Sequence, residues 1–175
     1  MLSDIDGWMG RTFGGLRLLP PDWRGAGLNV VAGVFCATTL VILADVVLFR
    51  DILPRSYIEH YTGPLWPRTL EACLGSAWEE VRARLLVMTS SMFVMSRVTS
   101  VRPAVALALS ILVSQLYLVA GLVIAYPLYA GLRFLAVGCI WGWLYWRSGW
   151  LAALVAHSAT HLVLDPLLAV TLPLG

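Results

Sequence analysis

The stretch Trp78-Glu79-Glu80-Val81-Arg82-Ala83-Arg84, followed at once by Leu85-Leu86-Val87-Met88, decides how this chain is to be read. Two adjacent carboxylates and two arginines stand at the mouth of an apolar run. Placing such groups at membrane depth costs about 2.5–3.5 kcal/mol each on insertion scales, so a charge there points to a function. Helical spacing separates the four. At about 100° per residue, Glu80 and Arg84 lie one turn apart on one face and can pair. Glu79 points away from that pair. Glu80 therefore reads as braced, and Glu79 as available to another helix.

A second polar stripe lies far downstream, in Ala156-His157-Ser158-Ala159-Thr160-His161-Leu162-Val163-Leu164-Asp165. His157, His161 and Asp165 recur every fourth residue and share one helical face. The chain has three histidines, and two of them are here. A polar stripe in an apolar helix needs partners, so Glu79 is expected to meet His157 across a helix interface. Asp165, just before Pro166, is expected to be a helix-end residue.

Composition sets the class. Of the 175 residues, 59% are hydrophobic and 13% charged, with a mean hydropathy of +0.81. A soluble domain would carry about 25% charged residues. The expected fold is therefore all-α, a polytopic transmembrane helix bundle with the lipid bilayer around it. A formal charge of +2 with no basic run gives no reason to expect a nucleic-acid partner. Cys36, Cys73 and Cys139 are odd in number, far apart and without a CxxC. They are expected to be buried small hydrophobes rather than a zinc knuckle or disulfide framework.

Residues 1–27 read as an N-terminal juxtamembrane segment, with Trp8, Trp23 and the Pro20-Pro21 break. Asp4, Asp6 and Asp22 among its arginines do not suit a cleavable signal peptide. Residues 28–49 form the first expected transmembrane helix, since about 20 residues cross the hydrocarbon. Asp45 near its end is expected to reach the headgroups. A polar connection follows over 50–68, and 69–172 is the expected membrane core. The core begins with the helix carrying Glu79 and Glu80. A span over 104–125 follows, with Ser110, Ser114, Gln115 and Tyr117, and ends near Pro127. The next runs past Gly131, Gly138 and Gly142 to Trp146, its glycines permitting close helix approach. The last runs from Trp150 to near Leu172. The total is about five membrane helices, each near the length a bilayer needs. Trp141, Trp143, Tyr145, Trp146 and Trp150 around Arg147 mark an expected membrane interface, and the distribution of arginines favours an N-terminus inside.

Glu79-Glu80-Val81-Arg82-Ala83-Arg84 carries an EExxxR pattern. The segment Gly142-Trp143-Leu144-Tyr145-Trp146-Arg147-Ser148-Gly149-Trp150-Leu151-Ala152-Ala153-Leu154-Val155-Ala156-His157 carries a glycine-containing helix, an Arg-x-Gly turn and a small-residue helix leading to a histidine. In this order the two resemble the CPBP (Abi) family of glutamic intramembrane proteases, related to the CAAX prenyl endopeptidase, over 69–172. The resemblance implies a multi-pass bacterial inner-membrane endopeptidase acting on a membrane-associated or C-terminally sorted protein or peptide substrate. It implies no cofactor and no metal. Glu79 would take a proton from water, with Glu80 and Arg84 bracing it and His157 and His161 orienting water or the oxyanion.

Two positions depart from the family pattern. The family's first histidine closes a Phe-xxx-His motif, whereas Tyr117-Leu118-Val119-Ala120-Gly121 keeps an aromatic and ends in glycine. The family's His-xxx-Asn/Asp motif here has His161 after His157. An alternative function follows, a non-catalytic CPBP-like membrane protein serving as a bacteriocin-immunity or binding scaffold. A metal site built from His157 and His161 with Glu79 or Asp165 is a third possibility by spacing. The His-Glu-x-x-His pattern of zinc proteases is absent, because Ser158 follows His157.

Overall fold

The computed structural model describes residues 18–98 and 102–172. Residues 1–17 of the expected juxtamembrane segment lie outside them. The regular elements among the described residues are all helices. Helix α1 runs over Trp23–Leu48. Its start is set by Asp22, whose carboxylate accepts from the Arg24 and Gly25 backbone N–H groups at 3.0 and 2.7 Å. That cap satisfies donors a helix start leaves free, so the helix opens at Trp23 rather than at Leu28.

A short helix, α2 (Arg55–His60), lies in the connection expected to be merely polar. Helix α3 begins at Leu65 and continues without a break to Val98. Helix α4 is Pro103–Ala125, α5 is Pro127–Ser148 and α6 is Trp150–Thr171. Proline opens both α4 and α5, where its missing N–H costs nothing. Between α5 and α6 the chain reverses at Gly149, whose φ of 88° suits glycine and would strain most other residues.

Four helices are long and apolar enough to cross a membrane: α1, α4, α5 and α6. Helix α3, the fifth expected span, does not qualify. Its apolar run is confined between Arg84 and Arg97, too short for the about 20 residues a bilayer core needs. Helix α6 is central, packing on α1, α3 and α5, while α4 lies against α3 and α5. Leu144, Tyr145, Leu164 and Leu168 fill the middle of the bundle. Much apolar surface faces outward; in α4 only 17% of the spanning window is buried.

Several expectations change once the helices pack. Trp141 and Tyr145, assigned to the interface belt, are buried because they lie on the inward face of α5; Trp143 remains on the outside. Cys36 and Cys139 are exposed and Cys73 is half-buried. An outward thiol on an apolar helix is a small hydrophobe facing lipid rather than core. Of the glycines on α5, Gly138 and Gly142 are demanded by closeness, a Cβ at Gly142 standing 2.8 Å from Ile111 of α4, whereas Gly131 has open space. A Cβ at Gly138 would stand 1.6 Å from the Gln115 side chain of α4.

Asp45 does not reach headgroups. It is fully buried in a π-helical turn of α1, Leu43–Leu48. Tyr57 donates to its Oδ2 at 2.6 Å, Arg133 Nε approaches the same oxygen at 3.0 Å, and Tyr129 donates to Oδ1 at 3.1 Å. A carboxylate that could not be solvated recruited three donors instead. Arg133 is thereby drawn into the bundle. Burial, together with the Asp45 charge, pushes the Tyr57 phenol above its ordinary range although Arg133 pulls the other way. The phenol stays protonated and keeps donating. At the same end of the bundle Arg50 donates to the Thr171 carbonyl at 3.3 Å and to that of Leu172. This charge caps the negative end of α6.

Candidate functional site

The site is built where α3 changes winding. Residues Leu65–Glu80 are α-helical, and Val81–Met88 form a wider π-helical stretch. Such insertions re-aim side chains and often occur at functional sites. Glu80 and Arg84 straddle the change, and both are 1% exposed. Arg84 Nε lies 3.3 Å from Glu80 Oε2, close enough for an ion pair though out of line for a hydrogen bond. The expected pairing along the helix is present.

Arg84 is engaged on its other side as well. Its Nη1 donates to Ser114 Oγ at 3.0 Å and its Nη2 to the Gly138 carbonyl at 3.0 Å. The Gln115 amide, with its oxygen turned to the guanidinium, accepts from Nη2 at 2.9 Å. One arginine therefore ties α3 to both α4 and α5. Its backbone carbonyl accepts from Thr89 Oγ1 at 2.9 Å, and Tyr145 donates to that hydroxyl at 3.0 Å. Ser114 and Gln115 stood out in the sequence as polar members of an apolar span. Gly138 carried no signal beyond being small, because its contribution is a backbone carbonyl.

The partner of His157 is Glu80, not Glu79. His157 Nδ1 stands 3.0 Å from Glu80 Oε1, across a separation of 77 residues. Glu79, expected to make this contact, is exposed at the edge of the site. The face bearing Arg84 turns inward against α4, α5 and α6, and Glu80 shares that face. Glu80 thus has one oxygen on His157 and the other against Arg84.

Glu79, Glu80, His157 and His161 all line one cavity of about 690 Å³. Arg82 and Arg133 also reach its wall. The Arg82 guanidinium lies over the Trp78 ring at 5.5 Å, and its Nε is buried without a hydrogen-bond partner. On the α4 side Tyr117 and Gly121 face the same space, and nothing lies within 4 Å of where a Gly121 Cβ would be.

Within the cavity three rings stack. Trp141 lies on His157 with centroids 5.3 Å apart, and His157 on His161 at 5.6 Å. The Nδ1 atom of His161 is 3.4 Å from Asp165 Oδ1. Asp165 is 2% exposed, so it is a buried partner rather than a helix-end residue. The two imidazoles thus point their Nδ1 atoms at different carboxylates. Among the described residues no three His, Cys, Asp or Glu side chains are grouped as a metal ion would require.

The arrangement gathers carboxylate, imidazole and guanidinium groups around a space large enough for a peptide segment and a water. No family model, curated protein or solved structure matches this chain. Its chemistry has to be argued from these groups.

Proposed function

We propose that the chain is a CPBP-type glutamic intramembrane endopeptidase of a bacterial inner membrane, hydrolysing a peptide bond in a membrane-associated or C-terminally sorted protein. The observation supporting this is the convergence of Glu79 and Glu80 with His157 and His161 on one cavity. Glu80 has one oxygen on His157 and the other in an ion pair with Arg84, and serves as the brace. Glu79 is the carboxylate left to act as base. It takes one proton from a water while the water oxygen bonds to the carbonyl carbon. The same proton then passes to the departing amine nitrogen as the C–N bond breaks. Arg82, with its unpartnered Nε, is the donor for the oxyanion, with His157 on the same cavity wall to orient it.

The test is cleavage of single-span peptide libraries by purified protein in proteoliposomes. Wild type is expected to cut and Glu79→Ala to lose the activity while keeping its fold. Equal cleavage by both would sink the assignment.

The second reading, a non-catalytic immunity or binding scaffold, draws on Gly121. The resemblance places a histidine where Gly121 leaves open space on the cavity wall. A scaffold predicts no cleavage by wild type and full retention of its protective or binding phenotype in Glu79→Ala.

A further inference from the structure

We infer that Asp165 is a positioning residue for this reaction: it holds His161 as the Nδ1–H tautomer, so that Nε2 meets the cavity as a hydrogen-bond acceptor for the attacking water. The inference rests on the endopeptidase reading for the identity of the water's target, but its geometry stands apart from it.

A carboxylate only accepts, so the hydrogen between His161 Nδ1 and Asp165 Oδ1 belongs to the imidazole. The contact is built into the helix, since residues four apart face each other. Its two ends differ in surroundings. The Asp165 side chain is 3% exposed and lies behind the cavity wall, whereas His161 is 24% exposed and lines the cavity. With Nδ1 committed backwards, the nitrogen left for the cavity is Nε2, carrying a lone pair. The stack of Trp141, His157 and His161 fixes the plane of the ring.

Asp165 is not there simply to pair with the nearest cation. Arg68 on α3 is buried beside it, yet its Nη2 donates to the Asp165 backbone carbonyl at 3.5 Å. Its Nη1 donates to the His60 and Gly63 carbonyls, each at 3.1 Å, its guanidinium lies over the Tyr61 ring at 4.9 Å, and its Nε is buried without a hydrogen-bond partner. The carboxylate is directed at the imidazole. Held this way, His161 accepts one hydrogen of the water while Glu79 accepts the other, which aims the oxygen lone pair at the carbonyl carbon. The chain would thereby supply water orientation from α6, with Gly121 on α4 offering no side chain to do so.

The groups facing this pair are few. On α6 they are His157 and the pair itself; from α3 come Arg68, Thr69, Cys73, Glu79 and Glu80; Tyr61 lies beside Asp165. Arg82, Arg84 and Arg133 share the cavity wall.

The test uses the full chain labelled with 15N-histidine in lipid nanodiscs. With only three histidines, His161→Gln assigns the signals. Wild type should show His161 as the Nδ1–H tautomer, and Asp165→Asn, whose amide can donate, should convert it to Nε2–H. With single-span peptides as substrate, Asp165→Asn should lower kcat roughly 10²-fold with KM within about twofold, as for lost acid–base help. Asp165→Glu should recover part of kcat. An Nε2–H tautomer in wild type overturns the inference, and so does an unchanged kcat in Asp165→Asn. Should wild type cleave nothing, the endopeptidase reading falls, while the tautomer in wild type still decides whether Asp165 sets the ring.

Discussion

Two buried acid–arginine pairs, built alike, sit in different surroundings. At one, Asp45 is closed in by Arg133, Tyr57 and Tyr129. At the other, Glu80 lies between Arg84 and His157, beside Glu79, Arg82 and His161, whose reactive atoms open on a cavity. The first uses its carboxylate to join α1, α2 and α5, and none of its three donors is left seeking a partner at the acid. The second braces its arginine against α4 and α5 and leaves neighbouring groups unspent. A buried charge alone therefore does not mark a site. Unspent acceptors and donors next to a braced pair do.

The comparison breaks first at Asp45. Asp45→Ala leaves the largely buried Arg133 without its counter-charge and should cost about 3–5 kcal/mol, as breaking a buried pair usually does. Denaturation in detergent micelles would read the loss. Replacing both partners together, Asp45→Leu with Arg133→Met, should return most of it. A double variant no better than the single one would show that the tyrosines, not the ion pair, carry the junction. Arg84→Ala should cost a similar amount because it strands Glu80, and far more than Arg82→Ala. Equal expression and stability of those two variants would remove the bracing role.

At the cavity the effects should fall on rate. Glu79→Gln is expected to lower cleavage roughly 10²-fold or more, as for lost general-base catalysis. Its stability should stay within about 0.5 kcal/mol, because the residue is exposed. His161→Asn, which restores the residue type the resemblance implies, should still lower the rate roughly 10²-fold, since the shorter amide does not put an acceptor where the imidazole Nε2 holds the water. Full activity in that variant would make His161 a bystander.

A smaller effect should come from Gly138→Ala. The added methyl meets Gln115 and pushes α4 from α5, at a cost of about 1–3 kcal/mol for overpacking. The smallest belongs to Gly121→His. Nothing crowds that position, so stability should change by less than about 0.5 kcal/mol. In the His161→Asn background the new imidazole should restore part of the cleavage rate.

Much of the bundle could be read from the chain. Hydropathy located the four helices that are long and apolar enough to cross a membrane, though it counted α3 as a fifth; Pro127 and Gly149 marked where two of them end, and the i, i+4 spacing paired Glu80 with Arg84. Those features are local, since a helix fixes the relation of residues one turn apart. The stripe of His157, His161 and Asp165 was visible for the same reason. Local periodicity could not say which way each face turns. The two glutamates are adjacent and chemically identical, so nothing in their own stretch decides which meets His157. That choice depends on the rotation of α3 against α4, α5 and α6. The π-helical stretches shift that rotation, and they have no sequence pattern of comparable strength. Asp45 was misplaced for a related cause. It looked compatible with a membrane boundary by position, and only the approach of α2 and α5 supplied donors that let the carboxylate stay inside. The sequence by itself determined helical spans and turn-to-turn pairs, because these depend on neighbours in the chain. Only the tertiary structure decided which charges meet, because the cost of an unpaired charge in an apolar interior is settled between helices.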